Sequence, residues 1–175
     1  QVVGDILDFY KIEAGRLDLV AVPTDLARLV QGTVANFSGA ASSKGLQLVA
    51  TVDKRVSAAH LADPLRLRQV LSNCVSNAIK FTPAGRVELA LEYGGSTDEG
   101  SERLCFRITD TGIGIDPKRQ EQLFQPFTQA EGDTSRHYGG TGLGLAISRH
   151  LAGLMGGELE LDSTPGSGTT LRLRV

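Results

Sequence analysis

No stretch of this 175-residue sequence approaches the roughly 20 consecutive apolar residues that a membrane-spanning helix requires. No membrane contact is therefore expected of these residues. The start, Gln1-Val2-Val3-Gly4-Asp5, is neither basic nor followed by a long apolar run, so a signal peptide is not expected. It also lacks Met and begins in mid-pattern, as a piece of a longer chain would. Cysteine is nearly absent: Cys74 and Cys105 stand far apart without a C-x-x-C spacing, which points to neither a disulfide framework nor a zinc site. Charge imbalance is lacking too. Eighteen Lys and Arg against twenty Asp and Glu give a formal net charge of -2, so composition offers no footprint for nucleic acid.

What is present is a hydrophobic content of 41%, enough for one ordinary domain with something small attached. Glycine is the unusual count: there are 21, against about 12 expected at an average of ~7%. Most lie after Gly94 in short clusters, which indicates tight turns or close backbone approach to a ligand. Mixed three- and four-residue spacing of Val2, Val3, Ile6, Leu7, Phe9, Tyr10 and Ile12 predicts a helix that stops near Gly15. Leu17 and Leu19 read as a short strand, and Pro23-Thr24-Asp25 opens a second helix. A strand follows over 46–52, with His60 at a strand end. Asp63-Pro64, an acidic cap with proline in the first turn, opens a third helix through Ile79. Strands are predicted over 86–92 and 103–109, with Tyr93 to Gly100 as a polar connection. A short helix over 118–124, a long one over 143–155 and closing strands over 158–161 and 169–175 complete the order. Helices and strands mix without strict alternation, so an α/β sheet covered by helices on one face is expected.

Three constellations carry chemistry. Asn73, Asn77 and Lys80 share one face of the third helix by their i, i+4 and i+3 spacing. Carboxamide oxygens beside an ammonium suit a hydrated magnesium ion and a phosphate tail; the same spacing also serves as the polar outer face of an amphipathic helix. Asp110-Thr111-Gly112-Ile113-Gly114 ends a strand, where a carboxylate can accept from the exocyclic amine of adenine and glycines admit the base; an ordinary turn reads the same way. Gly139-Gly140-Thr141-Gly142-Leu143-Gly144-Leu145 runs into a helix N-terminus, which favours phosphate. No Gly-Lys-Ser/Thr follows, and no strand precedes it, so neither a Walker A loop nor a dinucleotide fingerprint fits.

In order, these segments resemble the boxes of sensor histidine kinases. Residues 63–82, which include Leu71-Ser72-Asn73-Cys74-Val75-Ser76-Asn77-Ala78-Ile79-Lys80-Phe81-Thr82, are similar to the N box. Asp110 to Ile115 resembles the first glycine box and Gly139 to Leu145 the second. Leu123-Phe124-Gln125-Pro126-Phe127-Thr128-Gln129 resembles the F box, and Gly166-Ser167-Gly168-Thr169 the final glycine turn. The resemblance implies a two-layer α/β sandwich (Bergerat fold), a mixed sheet backed by three helices with a mobile ATP lid. It implies ATP and Mg2+ as ligands: Asn77 on the metal with Asn73 supporting, Lys80 on phosphate, and Asp110 on adenine. Gly112, Gly114 and Ile115 would shape that pocket with Thr169. Gly140, Thr141, Gly142, Leu143 and Gly144 would wrap the triphosphate, and Arg136 would reach the γ-phosphate or remain a solvated charge. Phe124 and Phe127 would anchor the lid or dock on a partner helix.

A second resemblance covers Asp5 to Gly15, which looks like the end of the second dimerisation-and-phosphotransfer helix of hybrid kinases. This implies residues 1–16 as helix end and 17–175 as catalytic domain. None of His60, His137 and His150 stands in the acid-then-basic-Thr-Pro setting of a phosphoacceptor, so the chain is expected to bind ATP without phosphorylating itself. The implied partners are the phosphotransfer bundle of the parent and, through it, a response-regulator receiver domain. The parent is expected to be a homodimer and this chain a monomer. A cytoplasmic placement follows from the need for ATP, compatible with a parent anchored in the inner (plasma) membrane. Three alternatives stand beside this reading. An ATP-driven clamp places a glutamate four residues before the magnesium asparagine, where this chain has Asn73, which cannot take a proton. A pseudokinase would bind nucleotide without transferring phosphate, and a serine-phosphorylating anti-sigma factor would lack the helix before Gly15.

Overall fold

The computed structural model describes residues 2–125 and 144–175. Helix α1 (Val2–Glu13) stops ahead of Gly15, whose φ of 65° supplies the left-handed residue that ends helices. Helix α2 (Leu26–Ser43) starts where Asp25 accepts the N–H of Arg28, and helix α3 (Pro64–Lys80) where Asp63 accepts those of Leu65 and Arg66. Pro64 at the first helical position costs α3 nothing, because that N–H would have no helical partner. At the other end, the Lys44 ammonium lies 2.6 Å from the Ile79 carbonyl, a cation where the helix dipole is negative.

Among the described residues, seven strands form two sheets. The small one pairs β1 (Val22–Thr24) antiparallel with β3 (His60–Ala62). The large one contains β2 (Gln47–Val52), β4 (Arg86–Ser96), β5 (Glu102–Asp110), β6 (Glu158–Thr164) and β7 (Gly168–Arg174), in the order β2-β4-β5-β7-β6. The β2–β4 pair is parallel and the other three are antiparallel, so the sheet is mixed. Helix α4 (Pro117–Gln120) and a 3-10 turn (Gln122–Phe124) precede helix α5 (Gly144–Leu154). Helices α2, α3 and α5 pack over the large sheet, and one core joins Val30, Leu71, Val75 and Ile147 to Leu89, Phe106, Ile108 and Leu173. The expected two-layer sandwich with three backing helices is what forms.

The strand faces explain the layers. Along β5, Leu104, Phe106, Ile108 and Asp110 are buried while Cys105, Arg107 and Thr109 lie on the other face, the period of two that a half-covered sheet requires. Arg107 there bonds Glu88 and Glu92 of β4 across the sheet. Helix α1 is tied to α3 by Asp8, which accepts from Arg66 (3.2 Å) and Gln69 (2.8 Å).

Three local expectations need correction. Leu17 and Leu19 do not form a strand; Leu17 is buried in the core, and pairing begins later, at Val22. Pro23 lies in β1 rather than opening α2, which is tolerated because a two-stranded ribbon offers an edge where no N–H is needed. Strand β4 continues to Ser96 through an irregularity between Tyr93 and Ser96, so Gly94 and Gly95 are strand residues. Among the described residues, no helix is long and apolar enough to cross a membrane.

Candidate functional site

The register of β5 puts Asp110 where the pattern calls for a hydrophobic residue. It is 7% exposed, on the face that carries Phe106 and Ile108 into the core. A buried carboxylate must be hydrogen-bonded. One oxygen, Oδ1, accepts the N–H of Gly112 at 2.9 Å and that of Thr169, on β7, at 3.2 Å. Burial nevertheless dominates and raises its pKa above the ordinary 3.8, against the lowering effects of the Gly112 and Thr169 N–H groups.

Beside it lies a cavity of about 120 Å³ with walls that include Asn77, Ile108, Asp110, Ile113, Leu161 and Leu171. For scale, a cavity of ~150 Å³ takes benzene, so this space holds less than one ring and a larger ring system would extend out through its mouth. The walls are apolar, and Asp110 and Asn77 supply polar groups among them, the usual make-up of a site that orients a ring by a few contacts. Gly112 and Gly114 shape it by having no side chain. A methyl on Gly112 would overlap the Phe81 carbonyl and one on Gly114 the Thr164 carbonyl, and Gly114 has a φ of 71°. The floor is fastened by Ser163, whose hydroxyl accepts the Ile115 N–H at 2.8 Å and meets the Thr169 hydroxyl at 2.8 Å. Gln120 donates to the carbonyls of Ile115 and Ser163.

The structure thus gathers Asn77, Asp110, Gly114, Ile115 and Thr169 around one cavity, with Gly112 against Asp110. Asn73, one turn before Asn77 on the same face of α3, is half-buried, and its amide nitrogen lies 3.4 Å from the Gly144 carbonyl and 3.3 Å from the Ser148 hydroxyl of α5. Among the described residues, no donor meets its carbonyl oxygen. Lys80 is the last residue of α3 and does not line the cavity. Leu123, not Phe124, faces the cavity; Phe124 lies under the Arg149 guanidinium, 4.9 Å from the ring centre. Arg136, Gly140, Thr141, Gly142, Leu143, Phe127 and His137 lie outside the described residues, as does the expected lid.

Sequence reasoning passed over Thr82, Gln120, Leu123 and Ser163. Thr82 stands at the end of the N-box stretch, fully buried, its hydroxyl donating to the Ala78 carbonyl at 2.6 Å. Ser163 carried no signal, because its partners are brought by β-pairing rather than by spacing.

The donor set suits magnesium. Magnesium keeps several waters and takes one or two protein oxygens beside phosphate oxygens, and Asn73 and Asn77 offer neutral carboxamide oxygens. No cluster of three His, Cys, Asp or Glu that would compete as an all-protein metal cage exists among the described residues.

An apolar slot floored by a buried acid and edged by asparagines of a neighbouring helix defines a nucleotide-binding α/β domain. Residues 62–175 match the family described as histidine kinase-, DNA gyrase B-, and HSP90-like ATPase, and the chain belongs to it. The chain is 46% identical over 168 residues to the sensor protein GacS of Pseudomonas syringae, a match covering 96% of this chain and 18% of that protein. It is 47% identical over 172 residues to the virulence sensor protein BvgS of Bordetella bronchiseptica, covering 98% and 14%. Full-length ShkA, solved in complex with AMPPNP, is similar with a TM-score of 0.85 and 33% identity, over 99% of this chain and 35% of that one. The chain therefore spans less than a fifth of the length of these curated relatives. It is an ATP-binding catalytic domain homologous to those of sensor histidine kinases, and Mg-ATP is the ligand that defines this family.

Proposed function

We propose that this domain holds Mg-ATP and delivers its γ-phosphoryl group to a histidine on a phosphotransfer helix bundle, from which a response-regulator receiver domain is charged. The observation that carries this reading is Asp110, a carboxylate kept in a core register beside an apolar slot. Adenine enters the slot with its exocyclic amine donating to Asp110, whose Gly112 and Thr169 contacts fix the carboxylate before the base arrives. Ile115 and Thr169 line the pocket, and Gly112 and Gly114 let the backbone close on the ring. Asn77 would bind the metal, with Asn73 held against α5 as its support. The metal, when bound, neutralises phosphate charge as it develops. Lys80 would meet the phosphate tail, and Gly140, Thr141, Gly142, Leu143 and Gly144 would offer main-chain amides at the start of α5. Arg136 would add a cation at the γ-phosphate. Phe124 would help fasten the segment that follows it, through Arg149.

In this reading residues 1–16 are the end of the phosphotransfer helix and 17–175 the catalytic domain, cytoplasmic because it consumes ATP. The parent is a homodimer that the plasma membrane can anchor, and this chain is a monomer. A water-attacking ATPase needs a general base near the phosphate, and Asn73, four residues before Asn77, cannot serve. The test is a transfer assay. With γ-labelled ATP the chain stays unlabelled, while an added phosphotransfer bundle from its parent acquires an acid-labile label. Rapid release of free phosphate with no labelled bundle would refute the proposal and favour the clamp.

A further inference from the structure

Ser148 stands on α5 in a buried run, Ala146-Ile147-Ser148, with Leu151 and Ala152 buried one turn on. A buried hydroxyl costs stability unless it is hydrogen-bonded. Thr33 and Thr82, equally buried, settle this within the chain's own turn. Each donates to the carbonyl four residues earlier, Leu29 at 2.8 Å and Ala78 at 2.6 Å. Ser148 does not. Among the described residues its hydrogen bond comes from another helix, from Asn73 of α3, whose Nδ2 lies 3.3 Å from the hydroxyl oxygen. The same Nδ2 lies 3.4 Å from the carbonyl oxygen of Gly144, the residue four before Ser148. Asn73 thus occupies the carbonyl that a helical serine would otherwise use.

The two contacts fix which way the carboxamide points. A carboxamide has a donor end and an acceptor end and can turn over between them. The Gly144 carbonyl only accepts, so the NH2 must face α5, where its two hydrogens find two acceptors, and the oxygen must take the other position. Oδ1 meets no donor among the described residues. Nor is it enclosed, because the one buried side-chain nitrogen or oxygen without a partner among them is Nδ1 of His60. The Asn73 oxygen is therefore open to solvent, within reach of a ligand.

We propose that Ser148 is a positioning residue for the metal and phosphate end of the nucleotide, acting through Asn73; the proposal rests on the Mg-ATP reading above. The Ser148 hydroxyl and the Gly144 carbonyl hold the Asn73 NH2, and so keep Oδ1 presented to the cation and its waters. With alanine at 148 one of the two anchors is lost. The carboxamide then samples orientations in which its NH2, a donor, faces the cation. The same contact ties the first turn of α5 to α3 one helical turn before Asn77, so the helix start that meets phosphate and the asparagine that meets metal share this anchor.

The test measures calorimetric affinity for ADP with magnesium and with a chelator in its place; the ratio is the magnesium enhancement. In Ser148→Ala the enhancement is expected to fall about two- to tenfold, the worth of one hydrogen bond. Metal-free affinity, which the purine cavity carries, is expected to change less than about twofold by the same measure. In an Asn73→Ala background, Ser148→Ala should lower the enhancement no further, as two residues acting as one unit require. The proposal is overturned if the enhancement survives Ser148→Ala, if both affinities fall together, or if the loss is the same with and without Asn73. A native chain whose affinity ignores magnesium overturns the Mg-ATP reading and this proposal together. Should Ser148→Ala not fold, hydrogen exchange on the native chain decides. The side-chain amide of Asn73 should exchange more slowly than that of Asn77, which is also half-buried and has no hydrogen-bond partner among the described residues; equal rates overturn the proposal.

Discussion

Replacing Asp110 by asparagine exchanges one oxygen for an amide nitrogen and leaves the shape unchanged. Two orientations of the new carboxamide are available, and both lose. If its oxygen keeps the Gly112 and Thr169 N–H groups, now at 2.9 and 3.2 Å, its NH2 faces the adenine amine, donor against donor. If it flips to accept from adenine, the NH2 confronts two main-chain N–H groups. The variant therefore forfeits a charge-assisted hydrogen bond, worth about 1.5–3 kcal/mol, or about ten- to a hundred-and-fifty-fold in affinity. Its stability moves the other way. Burial raises the pKa of Asp110, so at neutral pH the folded state bears the cost of the charge, and removing it should hold or raise Tm. Calorimetric titration with an ATP analogue and magnesium, paired with thermal unfolding, reads both. Unchanged affinity, within threefold, would refute the role of Asp110; weakened affinity with a collapsed Tm would show a structural part only.

The same carboxylate predicts a pH effect. Nucleotide affinity should fall on acidification at a pH above that of an ordinary carboxylate, as Asp110 protonates, while protonation removes a buried charge and costs no stability there; titrations between pH 4 and 7 follow it. Gly112→Ala places a methyl on the Phe81 carbonyl, so a loss of about 1–3 kcal/mol is expected, seen as a Tm lowered by several degrees together with weakened nucleotide binding. Asp8→Ala removes the acceptor shared by Arg66 and Gln69; faster amide exchange in α1 with unchanged nucleotide affinity is the expected outcome. Burial pushes the Cys74 thiol up to about 12, and Cys105 is raised less severely by half-burial and Glu92. Iodoacetamide at pH 8 should therefore modify Cys105 first, with Cys74 reacting only on unfolding, as peptide mass analysis would show.

Where a physical signal is local, the sequence spoke clearly. Asp63-Pro64 and Gly15 mark helix ends by their own chemistry, and the alternation in β5 shows which face is covered. Asp110 and Asn77 were legible because each sits in a short stretch that resembles a family box, and both line one cavity. What failed depended on partners distant in the chain. Strand β1 exists because His60 to Ala62 arrive beside it, so Leu17 and Leu19 offered a plausible but wrong strand. Gly94 and Gly95 looked like a turn, since glycine weakens strands, yet the flanking pairs Tyr93–Leu104 and Ser96–Glu102 keep them in the strand as an irregularity. The roles of Ser163 and Gln120 depend on β6 packing beside α4, and no spacing rule announces that. Leu123 and Phe124 are adjacent aromatic and aliphatic residues, and only the turn of the chain decides which one meets the cavity.

The amide of Thr169 that steadies Asp110 comes from a strand 59 positions further along, inserted between β5 and β6 rather than added at an edge. A ribosome releases the chain in the opposite sense: β5 and β6 emerge first and must leave a gap for β7. Until that gap closes, the acid lacks one of the two amides that hold it, and the wall residues Thr169 and Leu171 are missing. A nascent polypeptide should therefore gain its grip on purine abruptly, with the arrival of β7, and nonsense truncations before Gly168 should be silent toward nucleotide however much of the helical layer they retain.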